Sequence, residues 1–343
     1  MEGTRKILFG WWERGRTFGR WFLNESRRQC SPLAGITALA IWFIGWGLGT
    51  LSSIDALVNP SALGSNPWTS GAEATALNIR MACGALFSLI LAMMFFGLRP
   101  RPVGLSIPLR SSSAYWLPAS LIMSLGAGWL KDKVTDWADK INPAAGTSYD
   151  PGHMSPDMVS ALSWDTLIVG PAEEIGLLAG PVCLILYAMR RHRRTGWVVA
   201  IGFAVVVRVG IHLYYGPGHI LGYALWAGLL VFIWWISPSV WGLVAAHFGY
   251  NGMMILGMTG AGAYAWVHPL YTGLSLVGVA LILVHLGRVV ASRGRAGRSV
   301  ESRLRWQMIT DPGRAFGPHS VLNRVPRHGS SPFRTRRRRR AVS

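Results

Sequence analysis

Long runs of apolar residues, separated by short polar or basic stretches, dominate this chain of 343 residues. A helix needs roughly 20 predominantly apolar residues to cross the hydrocarbon core of a bilayer. The runs that approach or exceed this length are 33–53, 81–98, 114–130, 160–189, 196–215, 218–236, 240–260 and 268–287. The pattern therefore predicts an all-α polytopic membrane protein with about eight transmembrane helices.

The run 160–189 is too long for one simple crossing. Gly170-Pro171 and Gly180-Pro181 divide it into three parts. Proline removes a backbone hydrogen bond, and irregular backbone at membrane depth is tolerated only where it lines protein or a water-filled cavity. A kink or a break is therefore expected between these two dipeptides.

The basic residues support an eight-crossing topology. With eight crossings both termini lie on one side, and four basic regions fall on that side: the N-terminal segment, the loop with Arg99, Arg101 and Arg110, the loop 190–194, and the C-terminal tail. The opposite loops, within 54–80 and 131–156, carry little net positive charge. By the positive-inside rule, both termini are expected to be cytoplasmic.

Three regions follow from this pattern. Residues 1–30 mix arginines with aromatic residues, which indicates an amphipathic segment on the cytoplasmic face or a partly disordered basic tail. Residues 31–289 form the predicted transmembrane domain, and the Arg-rich residues 290–343 are predicted to be a disordered cytoplasmic tail. Because the net charge of +19 is concentrated in regions that flank the spans, we expect anionic lipid, and no nucleic acid, as its partner.

Several polar residues interrupt the apolar runs. An ionised side chain at bilayer depth costs at least a few kcal/mol, so it normally faces a polar cavity and has a partner. Two consecutive carboxylates occur in one run, and two pairs at the helical spacing i,i+4 occur in two others. These residues are Glu173, Glu174, Arg208, His212, His247 and Asn251.

Their depths can be compared by counting from the basic loop. Glu173 precedes Arg190 by 17 residues and His212 follows Arg194 by 18. At ~1.5 Å per residue both lie about 25 Å from that loop, so their helices can bring them level. A simple count places His247 nearer the bilayer middle. We therefore expect a polar site inside the helix bundle, with the position of His247 the least defined.

This set of side chains suits hydrolysis by an activated water molecule. A glutamate can serve as general base, and His and Asn can hold the water or stabilise an oxyanion. Arg208 would keep a buried carboxylate ionised. The same buried Glu, His and Arg could also form the proton relay of a proton-coupled transporter, although no internal repeat typical of many transporters is evident.

The order Glu173-Glu174, then His212, then His247-x-x-x-Asn251, each on a separate predicted span, resembles the CAAX protease and bacteriocin-processing family. That family includes the type II CAAX prenyl endopeptidases, and its pattern is EExxxR, FxxxH and HxxxN. The resemblance covers roughly residues 160–260. It implies a bacterial intramembrane endopeptidase in the cytoplasmic membrane, acting on a peptide or membrane-protein substrate.

The resemblance also implies residue roles. Glu173 would be the general base and Glu174 a supporting carboxylate, while His212, His247 and Asn251 would position water or the oxyanion. The family has been described both as glutamate proteases and as metalloproteases. We expect a metal-free mechanism without a cofactor, and the zinc alternative would use Glu173, His212 and His247 as ligands.

Two positions depart from the family pattern. Leu178 stands where the first motif has Arg, and Arg208 stands where the second has Phe. We interpret this as one exchange, in which the positive charge moves to the histidine helix and stays near the carboxylates. If the exchange does not preserve activity, the chain is a non-catalytic immunity or scaffold protein of the same fold.

Overall fold

The computed structural model of the chain describes residues 32–58, 71–95, 102–105, 115–141, 156–237, 239–259, 262–291 and 307–309. Nearly all of these residues are helical, and no strand occurs among them. The all-α prediction is therefore confirmed for the described part of the chain.

Helices overlap each of the predicted apolar runs. In chain order they are α1 (Pro32–Trp42), α2 (Leu48–Val58), α3 (Gly71–Phe95), α4 (Trp116–Ile141), α5 (Pro156–Pro171), α6 (Gly180–Ala188), α7 (Arg193–Ile211), α8 (His219–Ile236), α9 (Trp241–Met258) and α10 (Tyr264–Ala291). A π-helical segment, Phe43–Gly47, joins α1 to α2, and a second, Ala172–Ala179, joins α5 to α6. The second is called the π segment below.

Four helices within the described ranges are long and apolar enough to cross a membrane: Thr166–Ala188, Arg193–Ile211, His219–Ile236 and Tyr264–Val290. The bent pair Pro32–Gly47 and Gly49–Asp55, with an angle of 58°, would make a fifth if it is one span. The predicted count of eight spans is therefore not confirmed. Helix α4, for example, has 26 residues, but its second half carries six charged side chains.

Helix α4 packs against α8, α9 and α10. Its contact with α10 depends on two glycines, since a Cβ on Gly278 would lie 2.0 Å from Ile122 O and one on Gly126 would lie 2.6 Å from Val279 N. On the other side of the bundle, α7 packs against α6 and α8, and α5 packs against α3 and α9. The π segment thus lies among α3, α5, α7 and α8, all of which it contacts.

The turn between α8 and α9 is buried under the short segment 102–105. Val240 N donates to Gly104 O (2.8 Å), and the indoles of Trp234 and Trp241 donate to Val103 O (3.0 Å) and Leu105 O (2.9 Å). Ser237, Ser239 and Val240 are all buried. Helix α9 therefore begins inside the protein, which allows His247, near its start, to reach the depth of the glutamates.

Two predicted regions lie wholly or mostly outside the described residues. The amphipathic segment 1–30 is outside them, as is most of the tail 290–343. Within that tail, residues 307–309 form a helical turn, and the side chain of Ile309 is fully buried in the main hydrophobic core. At least this part of the tail sequence packs against the helix bundle.

Candidate active site

Glu173 and Glu174 lie in the π segment, all of whose residues are buried. At its end Gly180 N–H donates to Ile175 O, five residues earlier, which is the π-helical pattern. Pro181 has no N–H and cannot donate to the carbonyl four residues earlier, so the α-helical pattern is interrupted here. The predicted kink or break therefore takes the form of a helical but irregular backbone between Pro171 and Pro181.

Arg208, on α7, contacts both carboxylates. Its Nη1 donates to Glu173 Oε2, and its Nη2 donates to Glu174 Oε1 at 2.7 Å. Consecutive side chains on a helix point about 100° apart, so two adjacent glutamates do not easily share one partner. The planar fork of the guanidinium reaches both, because its nitrogens lie side by side. The guanidinium also packs on Trp226, with Cζ 4.3 Å from the centroid of the indole ring.

His247, on α9, contacts the second glutamate. Its Nδ1 lies 2.9 Å from Glu174 Oε1. An ionised carboxylate only accepts, so with Glu174 ionised the hydrogen of this bond lies on Nδ1, and a neutral ring then has its lone pair on Nε2. Gly170 lies at the contact with α9, where a Cβ would be tight against Val244 O at 3.3 Å and in ordinary van der Waals contact with His247 Cβ at 3.6 Å.

His212 is the C-terminal cap of α7, one turn beyond Arg208. Its Nδ1 lies 2.7 Å from Arg208 O, which also assigns the hydrogen to Nδ1. The imidazole stacks on the ring of Tyr223, with a centroid distance of 4.0 Å. The preceding carbonyl, Ile211 O, accepts a hydrogen bond from Ser53 Oγ of α2 (3.1 Å), so the end of α7 is held from two sides.

Hydrogen bonds therefore join only some of the six candidate residues directly. Glu173, Glu174, Arg208 and His247 form one hydrogen-bonded group, and His212 joins it through the backbone of Arg208. Asn251 follows His247 by one turn of α9 and is partly exposed. Within the described residues no hydrogen bond joins Asn251 to the others, and Glu174 Oε2 is buried without a hydrogen-bond partner.

Leu178, at the position where the family pattern has Arg, is buried in the main hydrophobic core. It follows Glu174 by four residues in the π segment. The cation that contacts the carboxylates thus comes from α7, as the charge-exchange interpretation requires. Whether activity survives the exchange stays a prediction.

Sequence reasoning missed three residues beside the site. Trp226 lies between Arg208 and His247, with a ring-centroid distance of 5.5 Å to the imidazole, and Tyr223 carries the stack with His212. Both are buried residues of α8, whose apolar sequence gives no sign of a polar site. Lys131 is buried, although it lies in the half of α4 that carries six charged side chains. The available signal was the spacing of Lys131 and Thr135, which places both on one face of α4.

Three residues of the site lie close enough together to bind one metal ion. Ligand atoms of Glu173, Glu174 and His247 all lie within 4.8 Å of one another. The zinc alternative predicted from the sequence uses Glu173, His212 and His247 as ligands. The group found here contains Glu174 instead of His212. The donor set suits a divalent cation, but the guanidinium of Arg208 already binds both carboxylates.

Residues 157–253 match the sequence model of the family described as Type II CAAX prenyl endopeptidase Rce1-like. The match includes all six candidate residues and is consistent with the CAAX protease family, which confirms the resemblance seen in the motifs. Because this is a protease family, the match supports an enzyme, and together with the apolar helices it supports a multi-pass membrane protein. Searches of curated proteins and of solved structures each give no match.

Proposed function

We propose that the chain is an intramembrane endopeptidase that hydrolyses a peptide bond with water activated by a glutamate. The observation that carries the proposal is the contact of Glu174 with both Arg208 and His247, in a helix segment that also holds Glu173. Three separate helical segments supply a carboxylate pair, a guanidinium and an imidazole to one buried group. Such groups are costly at membrane depth, and a hydrolytic role accounts for them together.

The roles follow from the hydrogen bonds. Glu173 engages Arg208 through one oxygen, and its other oxygen would accept a proton from water as the hydroxide attacks the carbonyl carbon. The same proton would then pass to the leaving amine. Glu174 is committed to Arg208 and His247 through Oε1, so it is the orienting carboxylate, and its Oε2 would accept a hydrogen bond from the same water.

The oxyanion of the tetrahedral intermediate needs donors placed before the reaction begins. We assign this function to the histidines and to Asn251. An imidazole whose Nδ1–H is engaged offers Nε2, which can accept from water or, once protonated, donate to the oxyanion. Asn251 has no hydrogen bond to the other site residues, so its amide can turn to the substrate when the substrate binds.

We propose a mechanism without a metal ion. The guanidinium already supplies a positive charge to both carboxylates, and a divalent cation in the same place would face it at close range. If a metal does bind, the geometry favours Glu173, Glu174 and His247 as ligands. Zinc would then polarise the carbonyl or the water.

We also propose eight crossings of a bacterial cytoplasmic membrane, with both termini in the cytoplasm. The charge distribution supports this topology, and so do three exposed tryptophans near the predicted outer ends of the runs 114–130, 160–189 and 268–287: Trp137, Trp164 and Trp266. Labelling of single cysteines in the loops 54–80 and 190–194 with a membrane-impermeant reagent tests it. Labelling of the first loop, but not of the second, in intact cells is the expected result.

The activity is tested with purified protein in detergent and a fluorogenic peptide library. The wild type is compared with Glu173→Gln, Glu174→Gln and His212→Ala. Loss of cleavage in all three variants supports hydrolysis at this site. Unchanged cleavage in all three would overturn the assignment of the site, and no cleavage by the wild type of any peptide would count against the activity.

A further inference from the structure

We infer that Lys131 is a positioning residue for both histidines of the site. The inference rests on the proposed peptidase function and concerns a residue that none of the motifs includes. Lys131 lies on α4, outside the residues 157–253 that match the family model. Its side chain is only 7% exposed, whereas the side chain of Lys133, two residues along, is 54% exposed.

A buried ammonium needs compensation, and this one has two polar partners. Lys131 Nζ donates to Tyr250 Oη at 2.8 Å and lies 3.0 Å from Asp132 Oδ1. Tyr250 Oη in turn donates to Asp132 Oδ1 at 3.0 Å, so the three groups form a closed triangle. Tyr250 lies on α9 between His247 and Asn251, and the triangle therefore ties that turn of α9 to α4.

Three aromatic rings surround the same ammonium. Nζ lies 4.6 Å from the ring centroid of Tyr250, 4.9 Å from that of Tyr223 and 5.5 Å from that of Trp226. These distances fall within the range of cation–π attraction, which is stronger where the cation is desolvated. The close approach of α8 and α4 permits the cage, since a Cβ on Gly222 would lie 2.8 Å from Lys131 O.

Two of these rings are the ones that hold the imidazoles. Tyr223 stacks on His212 at 4.0 Å, and Trp226 packs edge-on against His247 at 5.5 Å. Lys131 thus contacts the ring that packs against each histidine. Loss of the ammonium would release Tyr223, Trp226 and Tyr250 together and would loosen both imidazoles, without removing any group that reacts.

This arrangement predicts an effect on turnover rather than on substrate binding. A displacement of catalytic groups by about 1 Å can lower the rate about 100-fold. We therefore expect Lys131→Met, which keeps the length of the side chain but not its charge, to lower kcat about 10- to 100-fold and to change KM less than about twofold. Lys131→Arg keeps a cation that stacks well on aromatic rings, so it should retain most of the activity.

The experiment compares kcat, KM and melting temperature of purified wild type, Lys131→Met, Lys131→Arg and the matched control Lys133→Met. Lys133 is paired on the surface with Asp136, so its loss should leave all three quantities unchanged. Lowered kcat in Lys131→Met with recovery in Lys131→Arg supports the inference. Equal kcat in Lys131→Met and wild type would overturn it, as would an equal loss of kcat in both Lys131 variants at the melting temperature of the wild type.

Two further results separate this inference from its premise and from misfolding. Tyr250→Phe removes the hydroxyl from the triangle but keeps the ring, and we expect it to lower kcat by a smaller factor than Lys131→Met. If it lowers kcat while the melting temperature stays within experimental error, positioning is supported even where Lys131→Met folds poorly; if it leaves kcat unchanged, the triangle has no positioning role. An inactive wild type would refute the peptidase proposal itself, whereas active wild type with an unaffected Lys131→Met refutes only the role of Lys131.

Discussion

Glu174 and His247, 73 residues apart in the sequence, are joined by a hydrogen bond of 2.9 Å between Oε1 and Nδ1. The same oxygen accepts a hydrogen bond from Arg208 Nη2 at 2.7 Å. One carboxylate oxygen therefore sets the tautomer of an imidazole on α9 and the position of a guanidinium on α7. This arrangement makes Glu174 the residue on which the geometry of the site depends, whereas Glu173 contacts only Arg208, through one of its two oxygens.

The two glutamates should separate activity from stability. The site holds two carboxylates and one guanidinium, all buried, so neutralising one carboxylate leaves a balanced ion pair. We expect Glu173→Gln to lower kcat about 10²- to 10⁴-fold, as for loss of a general base. Its melting temperature in detergent should equal or exceed that of the wild type, because the buried Glu174–Arg208 pair that remains no longer has an uncompensated carboxylate beside it.

Glu174→Gln serves as the comparison. It should also abolish cleavage, but it weakens the acceptor for both Arg208 and His247, so its melting temperature should fall below that of Glu173→Gln. Equal activity of Glu173→Gln and wild type would rule out Glu173 as the base. A lower melting temperature in Glu173→Gln than in Glu174→Gln would reverse the structural roles given to the two residues.

Arg208 should be replaceable only by another cation near the glutamates. Arg208→Leu leaves two buried carboxylates without a countercharge, which typically costs about 3–5 kcal/mol. We expect this variant to lose cleavage and to melt at a lower temperature. Adding Leu178→Arg puts the cation at the position of the usual family motif, one turn of the π segment beyond Glu174, and should restore both quantities in part.

Leu178→Arg in the wild-type background is the control for this cycle. It adds a second buried cation to a core position that is 2% exposed, so alone it should destabilise the protein. A double variant no better than Arg208→Leu would contradict the charge-exchange interpretation. Peptide cleavage and thermal unfolding, measured on all four proteins, provide the answer.

Chelation should leave cleavage unchanged. The guanidinium of Arg208 already lies where a cation would be attracted to both Glu173 and Glu174. We therefore expect elemental analysis of the purified protein to find well under one zinc ion per chain. Incubation with a zinc chelator and dialysis should not alter kcat. Stoichiometric zinc together with loss of cleavage on chelation, restored by zinc, would instead establish a metalloprotease that uses Glu173, Glu174 and His247.

The contact between α4 and α10 should depend on Gly278. A Cβ at this position would lie 2.0 Å from Ile122 O, a backbone atom that cannot move without shifting α4. Overpacking of this kind typically costs about 1–3 kcal/mol, so Gly278→Ala should lower the melting temperature. Gly273→Ala on the same helix is the control, since a Cβ there has nothing within 4 Å.

Alanine is a better helix former than glycine, so Gly273→Ala should be neutral or slightly stabilising. If both variants melt at the wild-type temperature, the close packing of α4 and α10 inferred at Gly278 is wrong. Because α4 also carries Lys131, a destabilised Gly278→Ala variant should cleave peptide more slowly as well. Cleavage can be measured on the same preparations.

The sequence by itself determined the all-α class, the approximate places of the helices and most of the candidate residues. Apolar runs of membrane-spanning length require helices, because backbone groups in lipid must bond within the segment. Charged and imidazole side chains inside such runs are rare enough to mark a site at once. The local signal at Gly170-Pro171 and Gly180-Pro181 also located the irregular backbone around Glu173 and Glu174.

Only the tertiary structure decided which of these residues meet. Counting along helices cannot place His247, since its depth depends on the buried α8–α9 turn held by the segment 102–105. Neither could a local pattern show that one guanidinium spans both glutamates, nor that Lys131 lies in an aromatic cage formed by α8 and α9. Spacing along one helix reveals which side chains share a face, whereas partners on other helices are set by packing at sites such as Gly222 and Gly278, where the absence of a side chain lets two backbones approach.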